Sequence, residues 1–411
     1  MIFKYSEQDV KRMIKAGESS KLEFKEDSVH NDRLAREIAA FANFKGGTIL
    51  LGVSDSGEIK GLTREGNEER IMNICYSVIF PRIIPEYEPM ILENRNLENR
   101  KIACITIDTG MEKPYAVLNK GRRNYYIRVG STCRESSQRE LMRMFQDSAL
   151  LHFEVLPVAA DFNDLDRHLI FEHFKTYRNI DLEVLNDDEL ARILINCSVM
   201  NENKQLTIGG SLLFAKQPDK FYAGTGIALA VIDGNFPTDT LLEVSHCNAA
   251  LFDNLERVLS IIRSYNRSRI TGLSDKGRRL EDYEYPFKVI REILVNAFIH
   301  RDYSIEGSQI RVFMFKDYLE VRSPGLIPNF LTVEKMKMGV SYYRNPMLMS
   351  YFYDRGLIER LGRGIQMIFA EMKKHNETEP EIFEQGGELV VRIRKKKLLP
   401  LEDNKNGASA A

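Results

Sequence analysis

The stretch "NDRLAREIAAFANFKGGTILLGVSDSGEIKG", Asn31 to Gly61, decides how the first third of the chain is read. Leu34, Ile38 and Phe41 recur at helical spacing with Ala35 and Ala42 beside them, so Asn31–Phe44 predicts an amphipathic helix. The "KGG" at Lys45–Gly47 stops it. "TILLGV" then reads as a buried strand and "SDSGEIKG" as a polar turn. More strands follow in "MILENRNLENRKIACITI" and "RRNYYIRV", so the fold class expected is α+β.

Just upstream, "GESSKLEFK" (Gly17–Lys25) mixes Glu18 and Glu23 with Lys21 and Lys25. Either it is a metal or acid/base site beside a phosphate-binding surface, or it is a solvated turn leading into a strand. With 28% charged residues overall, the second is ordinary. Downstream, "KGRRNYYIRVGSTCR" (Lys120–Arg134) carries Lys120, Arg122, Arg123, Arg128 and Arg134 and no acid, with Tyr125 and Tyr126 between them. Guanidinium groups bind phosphate oxygens bidentately, and aromatic faces stack on unpaired bases. Strand alternation sends the two tyrosines to opposite faces, so one of them, taken as Tyr126, joins such a surface. The other reading is a charged hairpin edge that discourages strand pairing.

The bulk numbers set the frame. A chain of 411 residues with 43% hydrophobic content suggests two or three domains with real cores. Lys plus Arg total 58 and Asp plus Glu 59, a net charge of -1, which leaves room for a local basic face. The cysteines, at 75, 104, 133, 197 and 247, form no CxxC pair, so neither a zinc knuckle nor a disulfide framework is indicated, and thiols in a reducing cytoplasm fit best. No apolar run approaches membrane-spanning length and no signal-peptide pattern follows Met1, so a soluble cytoplasmic protein without a membrane partner is expected. Residues 398–411, ending "EDNKNGASAA", read as a disordered tail.

Taken in order, "GESSKLEFK", "REIAAFANFKGGTILLGVSDSGEIKGL" and "YYIRVGSTCR" resemble the AlbA-type domain shared with Schlafen proteins. The resemblance implies a nucleic-acid-binding domain over 1–148. In nuclease members two glutamates of the first motif and an aspartate after the "GV" strand hold a divalent metal; here those positions are Glu18, Glu23 and Asp55. Three carboxylates can hold Mg²⁺ or Mn²⁺, which polarises a phosphate and generates hydroxide.

The middle is less informative. His168 and His173 are five residues apart and diverge by about 140° on a helix, so with His152 they read as surface or packing histidines. "NDDELARILINCSVM" begins with a capping residue and runs helically, and "KQLTIGGSLLFAKQP" follows. The pair resembles a winged-helix-like unit and marks a connector at 149–222. "TGIALAVID" reads as a buried strand, and Leu251–Ile270 as a helix whose Arg257, Arg263, Arg267 and Arg269 form a solvated face.

In "YPFKVIREILVNAFIHRDYS", Pro286 starts a helix that places Glu292 and Asn296 on one face. The pair suits an Mg-nucleotide site, the amide oxygen on the metal and the carboxylate on a water; alternatively it is a polar stripe over a core of Leu294, Val295 and Phe298. Strands "SQIRVFMF" and "YLEVRS", then "SPG" (Ser323–Gly325), "RNP" (Arg344–Pro346) and "GRG" (Gly362–Gly364), follow in order. Together they resemble a divergent GHKL ATPase fold, an α/β sandwich, of the kind found at the C-terminus of RecG-helicase-related and transcriptional-regulator proteins, here over 223–397. The resemblance implies Glu292 as base, Asn296 on the metal, Ser323 and Gly325 at the adenine end, Gly362 and Gly364 as second glycine box, and ATP as cofactor. Ser323 stands where active enzymes carry an aspartate. No GxxxxGK[ST] occurs, which excludes a P-loop helicase.

The expected function is a nucleic-acid-binding regulator, acting on DNA or RNA in transcription control or defence, with a nucleotide-sensing C-terminal domain and a tendency to homo-oligomerise. Lys21, Lys25, Arg122, Arg123 and Arg128 would take phosphates. The rival is a metal-dependent endoribonuclease using Glu18, Glu23 and Asp55, and the third class is a nucleotide-gated scaffold.

Overall fold

A computed structural model describes residues 4–93, 99–273, 279–328, 331–359 and 362–398. The chain divides into two compact units, the first reaching Leu151 and the second beginning at His152.

In the first unit, α1 (Glu7–Ala16) opens on a capping box between Ser6 and Asp9. Strand β1 (Leu22–Lys25), helix α2 (Asn31–Asn43) and strand β2 (Gly47–Leu51) form a βαβ crossover, with Leu22 opposite Thr48 and Lys25 opposite Leu51 in a parallel pair. Then come α3 (Asn67–Ser77), β3 (Ile79–Phe80), β4 (Glu86–Glu93), β5 (Asn99–Ile107), β6 (Ala116–Asn119), β7 (Arg122–Val129), β8 (Thr132–Glu135) and α4 (Gln138–Asp147). They make two sheets, ordered β1-β2-β5-β4 and β3-β6-β7-β8.

Alternation along β2 builds two cores. Leu50 faces Val10 of α1 together with Leu22 and Phe24, while Ile49 and Leu51 face α2 and α3. Four fully buried alanines (35, 39, 40 and 42) let α2 lie close to its sheet. A Cβ at Gly47 would fall 2.3 Å from the Phe41 ring, so this helix stop also needs a residue without a side chain. Buried Asn43 then ties α2 to the second sheet. Its Nδ2 donates to the carbonyls of Tyr115 (2.8 Å) and Tyr126 (2.9 Å), and its Oδ1 accepts from Tyr115 N–H (2.7 Å).

The second unit begins with α5 (Arg167–Arg178), α6 (Asp187–Asn196), α7 (Ile208–Phe214) and α8 (Pro218–Phe221). Asn186 caps α6 as its sequence requires, accepting from two backbone N–H groups. Every residue of α7 is buried, so this second helix of the winged-helix-like stretch has no face to lay in a DNA groove. His173 is fully buried among Tyr177, Phe214 and Tyr351, and burial pushes it down to about 4, as befits a packing histidine.

Strands β9 (Ile227–Asp233) and β10 (Thr240–Cys247) lead to α9 (Leu251–Tyr265). This helix stops short of the expected Ile270. Asn266 binds the backbone of Tyr285 in both directions, at 2.9 and 3.0 Å, and the chain turns into β11 (Ser268–Leu273), which pairs with β12 (Arg279–Tyr283). Arg267 and Arg269 therefore leave the helical face. Pro286 caps α10 (Phe287–His300), and β13 (Ile310–Met314), β14 (Tyr318–Pro324), α11 (Val333–Lys337), α12 (Pro346–Asp354), α13 (Gly364–Asn376), β15 (Glu381–Gln385) and β16 (Glu388–Arg394) complete the unit.

Its six-stranded sheet runs β10-β9-β13-β14-β16-β15, with β9 and β13 parallel and the other neighbours antiparallel. Ile227, Leu229, Val312, Leu319 and Val321 form its buried side, and α9 and α10 pack on the sheet. Both units mix helix and sheet, so the fold class is α+β. Among the described residues no helix is long and apolar enough to cross a membrane. The expected disordered tail lies outside the described residues from 399 onward.

Candidate nucleic-acid interface and nucleotide site

Alternation along β1 sends Leu22 and Phe24 to the α1 core, and Glu23 and Lys25 to the opposite side, toward α2. There Lys25 Nζ pairs with Glu23 and also donates to the Phe24 carbonyl at 2.8 Å. Arg128 arrives from β7. Its Nη1 donates to Glu23 Oε2 at 2.8 Å and to Glu37 Oε2 at 2.7 Å, its Nη2 donates to the Ser19 carbonyl at 2.8 Å, and its guanidinium lies over the Phe41 ring. All four charged side chains are buried. Two carboxylates meet two cations, the arrangement that buried charge requires. The Glu37 carboxyl is pushed up by burial and by the neighbouring Glu23 charge, against the pull of Lys25 and Arg128. Glu37 was missed in the sequence. Its signal was an acid on the same helical stripe as Leu34 and Phe41.

This network floors a cleft of about 640 Å³ whose walls include Glu18, Asp55, Arg33, Arg36 and Tyr126. Glu18 is half-buried and accepts the Phe24 N–H at 3.0 Å; Asp55 stands exposed in its turn. So the three expected carboxylates share one cleft. Among the described residues, however, no three His, Cys, Asp or Glu side chains converge as a metal cage would need. Both oxygens of Glu23 are engaged, one by Lys25 and one by Arg128. As arranged, the three do not fit a common Mg²⁺ or Mn²⁺ site.

The expected phosphate contacts divide. Lys25 and Arg128 are internal counter-charges rather than contacts for phosphate, because each is buried against a carboxylate. Tyr126 is only 8% exposed, so it offers no open face to a base. Lys21, Arg122 and Arg123 are exposed. So are Arg33 and Arg36, which the sequence reading passed over. They lie one turn apart on α2 at the cleft. Cys133, also on the wall, is pushed up to about 12 by burial and is no nucleophile at neutral pH.

In the second unit Asn296 Nδ2 donates to Glu292 Oε1 at 3.2 Å along one face of α10. Gly364, the first residue of α13, backs onto the same carboxylate, and a Cβ there would fall 2.0 Å from Glu292 Oε1. A helix N-terminus favours an anion, and here it meets Glu292. Burial raises the Glu292 carboxyl, partly offset by the Asn296 bond. Gly362 packs against Gly339 and Ser341. Ser323 Oγ donates to the Ala297 carbonyl at 2.9 Å, so its hydrogen is committed and only lone pairs are left for a ligand. Gly325 packs against Asp302 and Arg344. Glu292, Asn296 and Gly364 thus meet at one place and fit an Mg-nucleotide site in kind.

The "RNP" motif does something else. Arg344 donates to the carbonyls of His300 (2.7 Å) and Leu326 (2.9 Å), and Asn345 to those of Ile299 and Arg301, so the open end of α10 is satisfied. The fully buried Glu154 accepts the N–H groups of Met347 (2.6 Å) and Leu348 (2.8 Å) at the start of α12.

Residues 18–137 match the family described as "Schlafen, AlbA_2", and residues 307–393 match the one described as "Putative ATP-dependent DNA helicase recG C-terminal". The chain thus carries, in this order, a stretch similar to the Schlafen AlbA_2 family and a stretch similar to the recG C-terminal family. The Schlafen AlbA_2 match contains the whole buried network of Glu23, Lys25, Glu37 and Arg128. The recG-type match contains Ser323, Gly325, Gly362 and Gly364 but begins after α10, so Glu292 and Asn296 lie outside it. Among solved structures, the DIP2311 protein of Corynebacterium diphtheriae aligns at 19% identity over 94% of this chain and 80% of its own, with a TM-score of 0.47. Curated proteins gave no match. The two domains make this a nucleic-acid-related protein.

Proposed function

We propose that the first unit binds a nucleic-acid strand along the rim of its cleft and that the second binds a nucleotide, making the chain a nucleotide-sensing nucleic-acid-binding regulator. One observation carries the first half. The cations on the cleft floor are matched by carboxylates, while Arg33 and Arg36 on the rim have no carboxylate partner among the described residues. Unpaired guanidinium groups at the mouth of a cleft can take phosphate oxygens without first breaking an ion pair. The Schlafen AlbA_2 match supports the same reading. The nucleotide half rests on the meeting of Glu292, Asn296 and Gly364, and on the Ser323 oxygen, which can accept from an adenine amino group where an aspartate usually does.

Fluorescence anisotropy with labelled RNA and DNA strands tests the first half. The double substitution Arg33→Ala/Arg36→Ala is expected to weaken binding by about tenfold or more, each charge-assisted contact being worth about 1 kcal/mol or more. Unchanged affinity would remove the proposal.

Metal-dependent RNA cleavage is the second reading. It takes from the structure that Glu18, Glu23 and Asp55 line one cleft, and it needs Glu23 released from Lys25 and Arg128. Structured RNA incubated with Mn²⁺ separates the two. Cutting that disappears in Glu23→Gln favours the nuclease, and intact RNA at every metal concentration retires it.

A further inference from the structure

The face of the second sheet that points away from α2 carries an unclaimed surface. Register places Phe80 opposite Ala116, Ala116 opposite Tyr125, and Leu118 opposite Arg123. Tyr126 and Arg128 take the other face, against α2. On the outer side Phe80 is 46% and Leu118 40% exposed. Tyr76, four residues before Phe80 at the end of α3, is 63% exposed. The guanidinium of Arg123 lies 4.4 Å over the Phe80 ring, and that of Arg82 lies 3.8 Å over the Tyr76 ring. Lys120 stands exposed in the adjoining hairpin turn; Arg122, also exposed, alternates to the Tyr126 side.

None of the three cations at this face, Arg82, Lys120 and Arg123, has a carboxylate partner among the described residues. Other sheet arginines of this chain do. Arg134 on β8 is held by both oxygens of Glu140. On the sheet of the second unit Arg311 pairs with Glu388, Arg322 with Glu320, and Arg394 with Glu381. In a chain of net charge -1, three unneutralised cations around two exposed rings form a local excess of positive charge.

We infer that this face is a second nucleic-acid contact and that it takes an unpaired strand. Bases stack on the sides of Tyr76 and Phe80 opposite Arg82 and Arg123, which add cation–π contact, and Lys120 holds phosphate. Duplex bases are already stacked on each other and cannot use the two rings. An acidic peptide would use the cations and leave the rings idle. The inference rests on the proposed nucleic-acid reading and adds to it the strand class and a surface separate from the cleft.

Anisotropy of the full chain with a labelled oligothymidylate or oligouridylate strand, and with a duplex of mixed sequence, tests it. Tyr76→Ala/Phe80→Ala is expected to weaken single-strand binding by about tenfold or more, since stacking contributes on the order of 1–3 kcal/mol per base. Duplex binding and the salt dependence stay unchanged because no phosphate contact is lost. Both rings are exposed, so their truncation leaves the core intact, and Tyr76→Phe, which keeps the stacking face, should bind as wild type. Equal losses on single strand and duplex overturn the strand class. Unchanged single-strand binding in the ring variant, alongside a loss in Arg33→Ala/Arg36→Ala, overturns this inference and leaves the cleft reading standing. If wild type binds neither probe, both readings fall together.

Discussion

Arg128 shows how one side chain can look like a ligand contact and act as structure. It is 2% exposed, and its Nη atoms reach Glu23, Glu37 and the Ser19 carbonyl, joining β7, β1, α2 and the segment before β1. Removing it leaves Glu23 and Glu37 facing each other with only Lys25 between them and the cost of two buried charges. Arg128→Met is therefore expected to destabilise the first unit by about 3–5 kcal/mol. The exposed Arg33→Ala is expected to stay within about 0.5 kcal/mol of wild type. Urea unfolding of both variants checks this, and a small loss in Arg128→Met would mean that the network is not a stability element. Asn296 sits at the opposite extreme, a half-buried polar group whose side-chain amide donates to Glu292 across a helical turn. Asn296→Ala should weaken Mg-ATP binding by about tenfold, or roughly 1.4 kcal/mol, in titration calorimetry. Equal affinities would place the nucleotide elsewhere.

At the scale of elements, helix ends decide much of the second unit. Glu154 caps the start of α12 from a position nearly two hundred residues earlier, and Arg344 and Asn345 close the end of α10. Burial pushes the Glu154 carboxyl from 4.5 to about 7, against the two N–H bonds that favour its charge. Between those values the folded chain holds a proton that the unfolded chain has lost. Stability must then fall as pH rises from about 4.5 to about 7 and level off above, a difference of about 3 kcal/mol at most. Glu154→Gln removes that titration, so the wild-type melting temperature should lose ground to the variant over this range; parallel profiles would show that Glu154 is not the titrating group. Local signals made several of these elements legible: the Asn186 cap, Pro286 before α10, and the glycines that end α2 and open α13. What escaped depends on partners distant in sequence. The end of α9 is set by Asn266 binding Tyr285, and "RNP" looks like a loop until the carbonyls of α10 are beside it. The floor of the cleft was half legible. Period-two alternation in "LEFK" already puts Glu23 and Lys25 on one side, but Arg128 joins them only across 105 residues.

For the whole molecule, a net charge of -1 means that no broad field draws a polyanion in, so affinity must come from where the unpaired cations stand. Arg33 and Arg36 rim the cleft, and Lys120 and Arg122 mark the hairpin turn. If these four hold phosphates of a single strand, log affinity against log salt should slope at roughly -3, about -0.7 for each contact. Replacing any one by alanine should flatten the slope by about 0.7 and weaken binding without regard to sequence, because phosphates carry none. Arg128→Met makes the contrasting case. Its cation is sealed behind Glu23 and Glu37, so wherever the variant is folded the slope should match wild type. Anisotropy titrations at several salt concentrations read both quantities together. A slope near zero, or one that moves with Arg128 and not with the four exposed cations, would show that the strand is held by other groups and that the apportioning of cations into floor and rim is wrong.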